Sequence, residues 1–194
     1  MFKRCKIIKQ SNFPTLTTHS KYNHHTKQTT EEAFTSAKKY LNRGDTETAT
    51  AVLNRQLAQT RNPTDALQFF SKMHSDNVPP NSLSYSHITD ILANGNTVEE
   101  ALQWCVRAHK LSFPPNNTAH GALLKILGKY GRGPDCGIVL DLCKEARIKL
   151  NLPSYNHALR AYSKCGNLER CSKLFEFMKS LKTSHLTVVT YNDV

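Results

Sequence analysis

A short motif returns in this sequence after an interval of 35 residues. Val-Pro-Pro-Asn at 78–81 is followed by Phe-Pro-Pro-Asn at 113–116, and an interval of this size is typical of stacked structural repeats. Five columns of small or apolar residues keep the same interval over four successive units: Leu53, Ile88, Leu123 and Ala158; Leu57, Leu92, Leu127 and Tyr162; Ala66, Ala101, Cys136 and Cys171; Phe70, Cys105, Leu140 and Phe175; Met73, Ala108, Cys143 and Met178. The chain is therefore organised as an array of repeats.

The spacing inside each unit predicts two helices. Column positions lie four and seven residues apart, which places them on one face of a helix and excludes alternating strands. The first helix is predicted over 84–93, 120–130 and 154–164, each ending at a glycine in the left-handed conformation: Gly95, Gly131 and Gly166. The second helix is predicted over 66–74, 98–111 and 135–146. The sequence thus predicts an all-α fold of stacked helix-turn-helix repeats.

The columns also predict the domain boundaries. A capping helix is expected over 31–46, begun by a capping box from Thr29 to Glu32. The array then covers 47–187, as a degenerate unit at 47–81 and regular units at 82–116, 117–151 and 152–187. Residues 188–194 begin a further, incomplete unit, so either another protein covers this apolar end or the sequence continues in a longer protein.

The positive charge is unevenly distributed. The formal charge of +11 comes from 26 Lys and Arg against 15 Asp and Glu, and residues 1–30 hold six basic residues and no acidic one. This stretch is also rich in Ser and Thr, a composition typical of an organelle transit peptide, with a mitochondrial address favoured over a plastid one. The alternative is a basic tail without an address.

Little in the sequence indicates an enzyme, a metal site or a membrane protein. The six cysteines include no C-x-x-C pair, and Cys136 and Cys171 share a column with alanines, so they are interpreted as buried packing residues. His120 shares a column with Tyr85 and Tyr155 and is likewise interpreted as structural. The acidic residues are scattered, and no apolar run approaches the roughly 20 residues of a membrane helix. We expect no catalytic residue, no cofactor and no metal.

Several motifs identify a family at this point. Ser-Tyr-Asn at 154–156, Lys-Cys-Gly-Asn-Leu-Glu at 164–169, Leu-Phe at 174–175 and Val-Thr-Tyr-Asn at 189–192 closely resemble the pentatricopeptide repeat. The resemblance is strong over 152–194, good over 82–151 and weaker over 47–81. It implies a right-handed α-solenoid whose first helices line a groove for single-stranded RNA, usually in a mitochondrion or plastid.

The resemblance also implies which residues contact the RNA. In the family, a base is read by a polar pair from each repeat, and here the pairs are Ser86 with Asn116, Gly121 with Asn151, and Asn156 with Thr187. The residues that flank the bases are Leu83, Thr118, Pro153 and Val189. Contacts to phosphate are expected at Lys129, Lys164, Lys125 and Arg160. In the family, a pair such as Ser86 and Asn116 implies a purine base, and Asn156 implies a pyrimidine. The alternative for the lysines at helix ends is a favourable interaction with the helix dipole alone, without RNA.

These expectations predict a single-stranded RNA-binding protein of organellar RNA metabolism, acting in processing, stability, editing or translation. Three readable units, one of them with glycine at its reading position, support only modest affinity, because stacking contributes about 1–3 kcal/mol per base. The alternative is a protein-binding or structural scaffold, for example in an organellar ribosome or another complex, since helix-pair solenoids also bind peptides. No membrane partner is expected.

Overall fold

The computed structural model describes residues 24–180, with side chains described from residue 29 onward. This part of the chain forms nine helices and no strand, with these bounds: α1 His24–Leu41, α2 Thr46–Leu57, α3 Pro63–Ser75, α4 Ser82–Asn94, α5 Val98–Lys110, α6 Asn117–Tyr130, α7 Gly133–Glu145, α8 Leu152–Lys164 and α9 Leu168–Ser180. Helices α2 to α9 are 12 to 14 residues long. None of the described helices combines the length and apolar character needed to cross a membrane.

The eight helices from α2 to α9 pair into four units in chain order, which confirms the predicted helical repeat. We call α2, α4, α6 and α8 the first helices and the others the second helices. The first helices pack side by side in one layer, with the most extensive packing between α6 and α8 and between α4 and α6. Each second helix packs against the first helix of its own unit, and α3, α5 and α7 also pack against the first helix of the next unit.

The predicted columns form much of the core, although Leu140 and Phe175 are only half-buried and pack against it. Leu53, Ile88, Leu123 and Ala158 are all fully buried, as are Ala66, Ala101 and Cys136 in the column of small residues. Fully burying a large aliphatic side chain contributes about 1.5–3 kcal/mol, so a column repeated through the layers stabilises every junction between units. The assignment of Cys136 and Cys171 to packing agrees with their burial.

Asparagine residues begin the first helices. Asn81, Asn116 and Asn151 are the N-caps of α4, α6 and α8, and the side-chain oxygen of each accepts a hydrogen bond from a backbone N–H in the first turn. These helices therefore start two or three residues earlier than predicted. The Asn of each Pro-Pro-Asn motif therefore begins the next helix.

The turns inside the units show that the conformation predicted for one of the three glycines is wrong. Gly131 and Gly166 adopt the predicted left-handed conformation, with φ values of 67° and 71°. The prediction for Gly95 is wrong, because the left-handed residue of that turn is Asn96, with a φ of 60°. A Cβ atom at Gly95 would instead overlap the ring of Pro63. Gly95 is therefore required by close packing between α3 and the end of α4.

The predicted capping helix is longer than expected. Helix α1 begins at His24, so Thr29 to Glu32 lie inside it and cannot form a capping box at its start. It packs along α2, and its side chains reach α3, where Phe34 contacts Phe69 with 4.8 Å between ring centroids. Helix α1 therefore packs against the first unit, with bounds of His24–Leu41 instead of the expected 31–46.

Candidate nucleic-acid interface

The predicted RNA-contacting residues fall on one face of the first helices. Together with Asp90 and Asn94, which occupy the equivalent positions of α4, they form four columns at the 35-residue interval: Leu83, Thr118 and Pro153; Ser86, Gly121 and Asn156; Asp90, Lys125 and Arg160; Asn94, Lys129 and Lys164. Successive columns lie three, four and four residues apart, which is the spacing of a single helical face. We call these residues of α4, α6 and α8 the groove face. Thr187 and Val189 lie outside the described residues.

Two adjoining depressions lie on the groove face. The first, of about 280 Å³, is formed by α4, α6 and α8 and is lined by five of the predicted residues: Thr118, Gly121, Lys125, Asn151 and Pro153. The second, of about 370 Å³, is lined by the basic residues Lys125, Lys129 and Arg160. Both share Asn94, Ala122, Lys125 and His157, so they form one continuous surface. The structure thus brings together seven of the predicted residues.

Ser86 and Asn116, the first predicted base-reading pair, form hydrogen bonds that belong to the fold itself. The side chain of Ser86 is buried, with 3% of the residue exposed, and its hydroxyl donates to the carbonyl of Ser82 over 2.7 Å. The same hydroxyl accepts a hydrogen bond from the backbone N–H of Asn116 over 2.8 Å. A base could reach this hydroxyl only if these hydrogen bonds were exchanged, so the placement of Ser86 does not favour base reading.

The described residues of the two other pairs, and the side chain of Asn116, are more accessible. Asn151 is exposed, and its side-chain oxygen accepts from both the backbone N–H and the hydroxyl of Ser154, at 3.1 and 2.6 Å. The exposed Asn116 uses its side-chain oxygen in the same way, toward the N–H of Ala119 at 3.0 Å. Because the oxygen atoms serve as caps, the NH₂ groups of these amides are the donors that a ligand could use. Asn156 is half-buried on α8.

The two lysines at the helix ends both contact the preceding unit. The ammonium group of Lys164 donates to the carbonyl of Lys129 over 2.8 Å, at the C-terminal end of α6. The ammonium group of Lys129 donates to the side chain of Asn96 over 3.3 Å. Lys164 therefore lies at the negative end of the α6 dipole, as the alternative interpretation of these lysines, an interaction with the helix dipole, requires. Both side chains are exposed, so they can exchange these partners for phosphate.

Lys125 and Arg160 lie deeper along the groove face. Both line the second depression, and Lys125 is exposed, with no ion pair to an acidic residue in the part of the chain that the structure describes. Leu83 is 45% exposed, and Thr118 and Pro153 are exposed as well. The groove face of α6 and α8 therefore combines exposed positive charge with small apolar surfaces.

Sequence reasoning missed two residues of this surface. His157 lines both depressions, and Asp90 lines the first one beside Lys125. Burial raises the pKa of Asp90, although a hydrogen bond from Asn94 and the charge of His87 oppose that shift. The 35-residue interval contained the signal, because it aligns His157 with Ala122 and His87, and Asp90 with Lys125 and Arg160. Asp90 is thus an acidic residue in an otherwise basic column.

Comparison with known proteins defines the class to which this fold and surface belong. Residues 24–187 match the family described as the pentacotripeptide-repeat region of PRORP, so the chain belongs to this family of pentatricopeptide-repeat (PPR) proteins. A comparison with curated proteins finds no match.

Two solved structures share the fold. One is the PPR domain of Arabidopsis thaliana protein-only RNase P 1 in complex with tRNA, with a TM-score of 0.66 and 15% identity, covering 86% of this chain and 89% of that one. The other is the pentatricopeptide repeat protein PPR10 in complex with an 18-nucleotide psaJ RNA element, with a TM-score of 0.51 and 17% identity. That match covers 87% of this chain and 27% of PPR10.

Proposed function

We propose that this protein binds single-stranded RNA on the groove face of α4, α6 and α8, in organellar RNA metabolism. The observation that carries the proposal is the continuous surface on which Lys125, Lys129 and Arg160 adjoin the capping amide of Asn151 and the exposed ring of Pro153. Basic side chains beside small apolar surfaces suit a strand whose phosphates and bases follow the same path. The family and the RNA complexes of PPR10 and the RNase P domain support it.

Phosphate contacts are assigned mainly to Lys125 and Arg160, with Lys129 and Lys164 joining them once RNA displaces their hydrogen bonds. Bases are assigned to the first depression, where Thr118 and Pro153 flank them and the amide of Asn151 can donate to a base edge. Gly121 supplies no side chain, and the hydroxyl of Ser86 is already bonded on both sides. Binding should therefore depend strongly on salt and only weakly on sequence.

The proposed activity is binding rather than catalysis. A nuclease needs clustered carboxylates to hold its metal ions, and the groove face presents the single carboxylate of Asp90 within residues 29–180. The name of the RNase P relative belongs to a whole enzyme, whereas the matching structure is that of its PPR domain. This comparison supports an RNA-binding role for the corresponding part of the present chain.

The test is fluorescence anisotropy with labelled single-stranded RNA pools, a matched duplex and a folded tRNA, at two or more salt concentrations. We expect tighter binding of the single strands, and at least a tenfold loss of affinity in the double variant Lys125→Ala, Arg160→Ala. The slope of log K against log salt should fall by about 1.4, because two phosphate contacts are removed. The matched control is Lys110→Ala, Lys144→Ala, which removes two exposed charges from second helices.

Equal losses in the two double variants would mean that net charge alone drives binding, and would reject the groove face. If none of the RNAs binds, affinity capture of protein partners becomes the relevant experiment, since it tests the scaffold alternative. Tighter binding of the folded tRNA than of the single strands would support the groove face as an RNA-binding surface, but would show that its ligand is folded RNA.

The organellar part of the proposal rests on the composition of residues 1–30, which hold six basic and no acidic residues. A fluorescent protein carrying residues 1–30 should enter mitochondria, with plastids as the alternative address. A variant in which these six basic residues are replaced by Gln should remain outside. A uniform distribution of the unaltered fusion would reject the organellar address without affecting RNA binding.

A further inference from the structure

A cysteine and two histidines meet between α5 and α6, behind the groove face. Within residues 29–180, Cys105, His109 and His120 form the only group of three potential metal ligands, and their ligand atoms all lie within 4.8 Å of one another. Cys105 and His120 are fully buried, whereas His109 is half-buried. Cys105 and His109 lie one turn apart on α5, and His120 comes from the first turn of α6. The cluster therefore joins two consecutive units.

The hydrogen bonds fix which nitrogen of His120 carries a proton. Its Nδ1 atom lies 2.9 Å from the carbonyl oxygen of Asn116, and a carbonyl can only accept, so Nδ1 is the donor. In the neutral ring, Nε2 then holds a lone pair, and it points at Nε2 of His109 over 3.0 Å. A backbone carbonyl that holds one nitrogen while the other faces a ligand set is the arrangement that metal-binding histidines commonly show.

The ligand types and spacing of the cluster suit Zn²⁺. Tetrahedral Zn²⁺ holds two nitrogens about 3.3 Å apart, and a nitrogen and a sulfur about 3.6 Å apart. The imidazole nitrogens are 3.0 Å apart, and all ligand atoms lie within 4.8 Å, so side-chain rotations that move ligand atoms by up to about 1 Å bring the three to these separations. A thiolate with two imidazoles favours Zn²⁺ over Mg²⁺ or Ca²⁺.

We propose that Cys105, His109 and His120 form a binding site for one Zn²⁺ ion. Water reaching the cluster from the half-buried side of His109 completes the coordination. Binding releases the thiol proton of Cys105, and the proton between the two imidazoles moves to Nδ1 of His109. The ion then fastens α5 to α6 at the junction between units 82–116 and 117–151. This role is separate from RNA binding and does not depend on it.

The neighbouring units show that the cluster is not a repeated packing solution. The corresponding residues of the preceding junction are Phe70, His74 and Tyr85, where the ring centroid of Phe70 lies 5.2 Å from that of Tyr85 and 6.4 Å from that of His74. In the following junction they are Leu140, Lys144 and Tyr155. Only at the α5–α6 junction, among these three, do all positions carry metal-ligating side chains.

The test uses the full 194-residue chain without an affinity tag, reduced and freed of metal by a chelator. Co²⁺ serves as the spectroscopic probe, because a cobalt–thiolate bond gives a near-ultraviolet charge-transfer band. We expect one equivalent of Co²⁺ to produce this band and one equivalent of Zn²⁺ to abolish it. Zn²⁺ affinity, measured by competition with a chromogenic chelator, should fall at least tenfold in Cys105→Ser, His109→Gln and His120→Tyr.

The variant His120→Tyr introduces a tyrosine, the residue found at the equivalent positions of the neighbouring units, Tyr85 and Tyr155. We therefore expect this variant to fold, and circular dichroism checks that it does. The matched controls are His74→Gln, at the position equivalent to His109, and Cys171→Ala, which removes a different buried thiol. Both should retain the site. The proposal is overturned if saturating Co²⁺ gives no thiolate band, or if the band persists with unchanged Zn²⁺ affinity in His109→Gln and His120→Tyr.

Discussion

The backbone N–H of Asn116 donates a hydrogen bond of 2.8 Å to the hydroxyl of Ser86, thirty residues earlier in the chain. Ser86 lies on α4, and Asn116 caps α6, so this bond connects the first helices of two successive units. The two residues are the pair that the family resemblance assigns to base reading. In the structure the hydroxyl of Ser86 bonds the backbone of Asn116, and this contact stabilises the junction between units.

Removing the hydroxyl of Ser86 should therefore affect stability more than RNA affinity. Ser86→Ala removes the acceptor of the part-buried N–H of Asn116, and the loss of a typical intramolecular hydrogen bond costs about 0.5–1.5 kcal/mol. We expect the free energy of unfolding in urea to fall by this amount, while RNA affinity below the transition changes less than twofold. Ser172→Ala, on the exposed side of α9, is the control. Unchanged stability with weaker or less selective RNA binding would restore the base-reading role.

The repeat and its core could be predicted from the sequence because burial is what sets the spacing of the columns. Leu123 and Leu127 are separated by one helical turn, and both are fully buried as expected. The exact turn at Gly95 could not be predicted, because two different requirements favour glycine: a positive φ, or space for a neighbour. Only the position of Pro63 distinguishes them. Helix α1 was placed too late because its start lies in a stretch whose composition resembles a leader.

The candidate site was predicted at the level of helical faces rather than of atoms. The columns of Lys125 and Arg160 place both residues in the second depression, since their positions follow from helix geometry. The engagement of Ser86 and the hydrogen bond from Lys164 to α6 depend on how adjacent units stack. The cluster of Cys105, His109 and His120 was missed because a C-x-x-C search ignores ligands separated across a loop.

Close contact between α6 and α8 should make Gly128 intolerant of a side chain. A Cβ atom at Gly128 would lie 2.5 Å from the backbone carbonyl oxygen of His157, which cannot rotate away. We expect Gly128→Ala to lower the free energy of unfolding by about 1–3 kcal/mol, as overpacking does. Gly121→Ala is the matched control on the same helix, because its Cβ meets only the side-chain oxygen of Ser154, at 3.0 Å. Equal effects of the two substitutions would argue against this close approach.

Removing the carboxylate of Asp90 should strengthen RNA binding. Asp90 lines the first depression beside Lys125, where its negative charge opposes an incoming phosphate. We expect Asp90→Asn to raise affinity by about threefold at low salt, with a smaller gain at high salt because of screening. Asp141→Asn, on the exposed side of α7, controls for net charge. Equal gains in both variants would indicate a nonspecific effect of charge.

Asp90 should also give the stability a defined dependence on pH. Burial raises the pKa of Asp90 in the folded state. At pH values between its pKa in the unfolded state and its pKa in the folded state, Asp90 is therefore protonated to a greater extent in the folded protein. The contribution of Asp90 to stability therefore decreases as the pH rises through that window. Urea unfolding of wild type and Asp90→Asn, measured from pH 4 to 8, should show the variant gaining relative stability as the pH rises. A pH-independent difference would contradict the shifted pKa.

The cysteines should differ sharply in their reactivity toward alkylating reagents. Burial raises the pKa of Cys105, Cys136 and Cys143 to about 12, so almost none of each thiol is ionised at pH 8. Cys165 is exposed. Because the thiolate is the nucleophile, we expect iodoacetamide to modify Cys165 in the folded protein and the three buried thiols only after unfolding in urea. Peptide mass spectrometry resolves the sites. Rapid alkylation of Cys136 in the folded protein would show that the α7–α8 junction opens without global unfolding.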